Sequence, residues 1–363
     1  MLETAVVLTH GLFRTAFAKT THGLIRGPSR YRIAGVVDPE HAGLDAGELL
    51  DGCHRGIPVF ASVGDMLTAA EHKPEVCVVG VATIGGVLPP AVRAGLEEAA
   101  AAGLSLVNGL HKLLSDDPEL RRITEQHGSR IIDIRKPRPT SQLRFWTGEV
   151  LKAPALRVPV LGTDCALGKR TTASRLCQAC REAGISAEMV YTGQTGWLQG
   201  YRHGFIFDST PNDFVSGELE RAILECQRDG DPEIIFIEGQ AALRNPSGPC
   251  GSELIISGAA SGVILQHAPG RVHFEDYDDV GCVIPPLDEE IQLIRLLGAE
   301  VWAVTLNDQE LAADRLEPTR ARLEEELAIP VVHPLKGGMP RLVEIVRAHL
   351  ARQAPVRDVE KAS

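Results

Sequence analysis

The stretch Arg157–Thr172, RVPVLGTDCALGKRTT, sets the tightest limit on what this chain can fold into. Val158–Leu161 is an apolar run of the kind that makes a buried strand. A Gly-rich turn follows, closes on Gly168-Lys169, and gives way at once to a helical pattern. Strand, loop and helix in that order are the layout of a phosphate-binding P-loop. Loop amides and the open helix end converge on one anion, and a lysine adds mobile positive charge. The usual spacing is G-x-x-x-x-G-K-[ST]. Here five residues, Thr163 to Leu167, separate Gly162 from Gly168, and Arg170 stands between Lys169 and the hydroxyls of Thr171 and Thr172. The loop is expected to bind phosphate through Gly162, Thr163, Asp164, Gly168, Lys169, Arg170, Thr171 and Thr172. The intervening arginine argues against hydroxyl ligation of Mg2+.

A chain of 363 residues is longer than a typical single domain, so two are expected. Residues 1–150 alternate strand and helix signals: strands at Ala5–Thr9, Arg32–Val37, Val76–Val81, Ser105–Val107 and Arg130–Ile134, helices at Ser62–Ala70, Pro90–Ala102 and Ser115–His127. The last helix opens on Ser115 as a cap. This is the α/β signature and points to a Rossmann-like parallel sheet. No G-x-G-x-x-G follows the first strand, which argues against dinucleotide binding. Pro137, Pro139 and Pro154 mark the linker. A second α/β series fills residues 151–354, with strands at Val158–Leu161, Ala187–Tyr191, Ile234–Ile237, Gly262–Gln266, Glu300–Thr305 and Pro330–His333. Its helices are expected at Lys169–Ala183, Glu218–Arg228, Leu287–Leu297, Gln309–Leu327 and Pro340–Gln353, and Pro355–Ser363 as a frayed tail.

A formal charge of −11 argues against sequence-independent nucleic-acid binding, which needs a basic surface. The N-terminus MLETAVVLTHG lacks a secretory leader, and no run approaches the roughly 18 apolar residues of a membrane span. A cytoplasmic protein that does not enter membranes is the expectation, and open sheet edges point to a homo-oligomer. The eight cysteines then stay reduced, and Cys177 and Cys180, a turn apart on one helix, read as core packing.

Further constellations stand at strand ends, where α/β sheets bind ligands. In PEIIFIEGQ, Glu238 emerges from a buried strand and is placed to hold Mg2+ directly or through water. YTGQTG offers Gln194 and Thr195 as uncharged donors for an amide, carboxylate or phosphate. Asp213, in a polar loop, is placed to act as a base or metal ligand. In the first half, Lys19, His22 and Arg26 cluster in KTTHGLIR, His111 closes NGLH, and Arg135 follows a strand in DIRKP. Strand-tip cations and histidines of this kind suit a small anionic substrate.

These motifs carry a resemblance. The loop's Gly-Thr-Asp spacing resembles the dethiobiotin-synthetase branch of P-loop proteins. Taken together, KTTHGLIR, VVDPEHAGLDAGE, GVATIGG, NGLHKLLSDDPEL, DIRKP, GTDCALGKRTTA, YTGQTGW, NDFVSGELE and IEGQAAL resemble the DgcN-type D-glutamate N-acetyltransferases over nearly the whole chain. RNPSGPCGSEL departs from the His-Pro-rich loop expected there. The resemblance implies acetyl transfer from acetyl-CoA to the amino group of D-glutamate in D-amino-acid catabolism. The P-loop would then hold CoA phosphates through Lys169, Arg170 and loop amides. His22, His111 and Asp213 would be the candidate bases, with a lean to His22, and Lys19, Arg26 and Arg135 would grip the substrate carboxylates. The P-loop class alone suggests an alternative, an ATP- and Mg2+-dependent kinase or ligase acting on a small carboxylic acid. A nucleotide-sensing regulatory protein is a third reading.

Overall fold

The computed structural model describes residues 2–360. The chain divides into two compact units. One holds the chain up to Arg138 together with Gln194–Tyr201; the other holds Pro139–Gly193 and the chain from Arg202 onward. The boundary expected near residue 150 therefore falls twelve residues earlier, and eight residues from the middle of the second half belong to the first unit.

In the first unit, β1 (Thr4–Leu8), β2 (Arg32–Val37), β3 (Val59–Phe60), β4 (Val76–Val79), β5 (Ser105–Asn108) and β6 (Ile131–Asp133) alternate with helices. These are α1 (Lys19–Arg26), α2 (Ala46–Asp51), α3 (Val63–Ala69), α4 (Pro90–Ala101) and α5 (Pro118–Gln126). The strands form a parallel sheet in the order β3-β2-β1-β4-β5-β6, the Rossmann-like arrangement. β1 and β4 are buried at every position, as strands covered on both faces must be. The cap of α5 is Asp117, whose carboxylate accepts from the amides of Glu119 and Leu120 at 3.1 and 3.2 Å, and not Ser115. An ionised acid with Pro118 behind it starts a helix better than a serine two residues earlier.

The second unit is built from β7 (Leu156–Gly162), α6 (Lys169–Glu182), β8 (Ala187–Tyr191), β9 (His203–Gly204), α8 (Asn212–Gly230), β10 (Ile234–Glu238), α9 (Ser252–Ile256), β11 (Val263–His267), α10 (Leu287–Leu296), β12 (Val301–Leu306), α11 (Leu316–Leu327), β13 (Val331–Val332) and α12 (Met339–Glu360). Its parallel sheet runs β13-β12-β11-β7-β10-β8-β9, so the strand feeding the P-loop lies at the centre. α8 starts six residues before Glu218 and absorbs Asn212-Asp213, expected in a loop; α11 starts at Leu316, not Gln309. α12 continues through Pro355 to Glu360, and residues 361–363 of the expected tail lie outside the described residues. The remaining helix, α7 (Gln194–Leu198), belongs to the first unit and holds both Gln194 and Thr195, the donors expected from YTGQTG. Among the described residues no helix is long and apolar enough to cross a membrane.

Candidate active site

β7 ends at Gly162, and the chain turns through Cys165–Gly168 into α6. Gly168 caps the helix at φ 94°, a left-handed conformation that glycine adopts without strain. A Cβ on Gly162 would lie 3.0 Å from Lys169 Cδ, so glycine there lets the lysine stem fold across the strand end. The Lys169 ammonium is buried inside the loop and donates to the carbonyls of Asp164 at 2.5 Å and Ala241 at 2.8 Å. Burial pushes its pKa down, against the pull of Cys165, Cys250, Asp164 and Glu238. Glu238, at the tip of β10, is also buried. Burial pushes its carboxyl up, and Arg170, the amides of Thr192 and Gly193, and Lys169 pull it back. Those two amides donate to Glu238 Oε2 at 2.9 and 3.1 Å.

Three of the residues expected to touch phosphate are engaged elsewhere. The Thr163 amide donates to the Gln266 carbonyl at 3.0 Å, extending the sheet, and its hydroxyl meets His267 Nδ1 at 3.0 Å. Asp164, fully buried, accepts from Asn245 Nδ2 at 3.0 Å, from Arg271 at 2.9 Å and from the Glu275 amide at 2.8 Å. It braces the loop from behind. The Thr172 hydroxyl donates to Gln266 Oε1 at 2.7 Å, an atom that also accepts from Thr305 at 2.7 Å. The rest of the expected loop is the turn Cys165–Gly168 and the first turn of α6, with Lys169, Arg170 and Thr171. Gln266 and Asn245 do the bracing, and only their strand-end and turn positions marked them in the sequence. His267 is half-buried, and desolvation lowers its ring to about 4, so it is neutral. Cys177 and Cys180 are buried on α6, which pushes both thiols up to about 12.

Among the described residues no three His, Cys, Asp or Glu side chains gather to hold a metal ion. Asp213 is exposed in the first turn of α8, where a carboxylate favours the helix dipole, away from the helix's buried face.

The remaining candidates lie in the first unit. Lys19, His22 and Arg26 fall at i, i+3 and i+7 on α1 and share one face. His22 Nε2 lies 2.6 Å from the Phe13 carbonyl, so the proton sits on Nε2 and the lone pair on Nδ1. Burial holds the ring below its ordinary 6.5, against the Phe13 bond, and Arg26 adds to the lowering. Arg26 also reaches Asp51 at 3.3 Å. Arg135 donates to the Gly109 carbonyl at 2.7 Å and to Gln194 Oε1 at 2.8 Å, so two expected substrate contacts tie each other together. Thr195 is buried beside Gln194, and His111 is exposed on the loop after β5.

The loop after β1 explains the lack of a dinucleotide fingerprint. Asp38, fully buried at the tip of β2, accepts from Thr9 Oγ1 at 2.8 Å and from the amides of Gly11 and Phe13 at 2.8 and 3.2 Å. An internal carboxylate thus takes amides of the loop that would face a pyrophosphate in a dinucleotide site.

A central strand, a glycine loop closing on lysine and a strand-tip acid, joined to a Rossmann-like unit, define a two-unit α/β protein of the P-loop class. Residues 144–343 match the family described as "Domain of unknown function (DUF1611_C) P-loop domain", and residues 39–137 match "Domain of unknown function (DUF1611_N) Rossmann-like domain". This chain belongs to the DUF1611 family. A relative from Tritonibacter scottomollicae named D-glutamate N-acetyltransferase is 30% identical over 322 residues, covering 85% of this chain and 91% of its own. A second of the same name, from Pseudoalteromonas sp., is 28% identical over 282 residues, covering 76% and 82%. The crystal structure of a DUF1611 family protein from Anabaena variabilis matches with a TM-score of 0.86 at 30% identity, over 95% of this chain and 99% of that one.

Proposed function

We propose that this enzyme moves the acetyl group of acetyl-CoA to the amino group of D-glutamate, as a step in D-amino-acid breakdown. The observation that carries the reading is the match, over 85% of the chain, to a relative named for that reaction. The donor is argued from the loop. Cys165–Gly168, Lys169, Arg170 and Thr171 would hold the diphosphate of CoA, whose thioester supplies the acyl group. Lys169 and Arg170 bring two positive charges for the two negative charges of a diphosphate diester.

The amine must lose its proton before it attacks. His22 has the environment to accept it, because burial keeps the ring neutral and donation to Phe13 leaves Nδ1 as the proton acceptor. Lys19, one turn earlier on the same face, would hold a carboxylate of the same substrate. Asp213 on α8 and His111 on the loop after β5 are both exposed, whereas His22 is partly buried. Nothing in the loop favours the kinase or ligase alternative, because the Thr172 hydroxyl is spent on Gln266.

The test is release of free thiol from acetyl-CoA, with N-acetyl-D-glutamate identified by mass spectrometry. Turnover is expected with D-glutamate and little with L-glutamate. Absence of stereoselective turnover would sink the proposal.

A further inference from the structure

P-loops that transfer phosphoryl groups ligate Mg2+ through a serine or threonine directly after the lysine, aided by an acid at a neighbouring strand tip. In this chain the residue directly after Lys169 is Arg170. Thr172 is turned away: it is 2% exposed, and its hydroxyl is committed to Gln266 Oε1, which Thr305 shares. The acid is present as Glu238, but one of its oxygens accepts two backbone amides. The charge acting most strongly on that carboxylate is Arg170, ahead of Lys169. The donor set therefore does not fit the Mg2+ of a P-loop: an arginine follows the lysine where the ligating hydroxyl would be, and one oxygen of the strand-tip acid is taken by two backbone amides.

We propose that this P-loop binds its diphosphate ligand without a divalent cation, Arg170 supplying the positive charge that Mg2+ supplies elsewhere. The inference rests on the assignment of a diphosphate to the loop and narrows it to a class of ligand. Guanidinium pairs with phosphate oxygens in a fixed two-pronged geometry and is only weakly hydrated, whereas Mg2+ gives up its water shell reluctantly. A diphosphate diester, with one charge on each phosphorus and no terminal phosphoryl group to activate, matches two fixed cations. A nucleoside triphosphate, with about four charges and a transferable terminal group, does not. The loop is thus built for anchoring a diester through group transfer at a distant atom, and phosphoryl transfer is excluded from its repertoire.

The experiment is calorimetric titration of the full chain with CoA and, separately, with ADP, each in excess EDTA and in excess MgCl2. Wild type should bind CoA with the same affinity in both buffers, within about twofold. Arg170→Thr, which puts a hydroxyl directly after Lys169, should lose about tenfold or more in EDTA and recover part of it in Mg2+; Arg170→Lys should keep most of the metal-free affinity. Lys169→Ala should weaken binding in both buffers alike. A tenfold loss by wild type in EDTA overturns the inference, as does Arg170→Thr binding like wild type without metal. Should Arg170→Thr fail to fold by thermal melt, the wild-type comparison between buffers decides alone. Binding of ADP without CoA removes the acetyl-donor reading and overturns the restriction to a diester, because ADP carries a terminal phosphate. Binding of neither removes the diphosphate assignment and this inference with it.

Discussion

Asp164 and Arg271 show how much of the P-loop depends on groups that never face its ligand. The carboxylate is fully buried, and Arg271 reaches it at 2.9 Å while also donating to the Cys165 carbonyl at 3.0 Å. Removing one partner of such a pair leaves a charge stranded in low dielectric. Arg271→Ala should cost about 3–5 kcal/mol, read as a shift of the urea midpoint, and Asp164→Asn in the same chain should return part of it. An unchanged midpoint would mean water reaches Asp164. Asp38 makes a pH argument of the same kind. Burial pushes its carboxyl up, but bonds from His41, Thr9, Gly11 and Phe13 outweigh that and hold it below 3.8. A carboxyl whose native pKa is depressed stabilises the fold above the unfolded value and loses that contribution as pH falls through the native one. Stability should therefore fall below about pH 4, more steeply in wild type than in Asp38→Asn. Equal slopes in acid urea melts would remove Asp38 from the account. Lys169, Gly162 and Gly168 were legible because spacing alone marks them. The partners of Asp164 were not, since Asn245, Arg271 and Glu275 lie about 80 to 110 positions further along.

Helix α7 is the element in which local signal and outcome part most clearly. Two glycines in six residues read as a turn, yet Gln194–Leu198 is helical because tertiary contacts hold it. The Arg30 guanidinium lies 4.1 Å over the Trp197 ring and donates to the Trp197 carbonyl at 2.9 Å. Leu198 is fully buried among Phe13, Leu24 and Tyr31. Leu198→Ala should destabilise the first unit by about 2–5 kcal/mol, measured by denaturant melts. A loss under about 1 kcal/mol would show the segment to be loosely docked. Two inner strands, by contrast, match to the residue, Arg32–Val37 as β2 and Ala187–Tyr191 as β8, whereas the two-residue edge strands β3 and β9 were not expected. Central parallel strands are buried on both faces, and that leaves an unbroken apolar run in the sequence.

At the scale of the molecule, the chain completes the first unit only after it has begun the second. A fragment ending at Arg138 would contain all six strands of the first sheet but lack Trp197 and Leu198 from its core. Expressed alone, residues 1–138 should melt less cooperatively and at lower temperature than residues 1–138 carrying the 194–201 segment on a flexible linker. Identical melts would make that segment dispensable. The sheets end in short strands: β3, β9 and β13 have two residues each and β6 has three. Edges this short resist strand addition, so self-association through open edges, the route suggested by the sequence, has little backbone to use. Periodicity, strand-end chemistry and the glycine-lysine loop determined the two α/β layers and the strand, loop and helix of the P-loop, because those signals lie within a few residues of one another. Which hydroxyls bond inside the protein, which arginines are spent on bracing, and which unit owns residues 194–201 were decided only by the tertiary structure. Each of those outcomes is a competition among partners far apart in the chain, and only packing determines which wins.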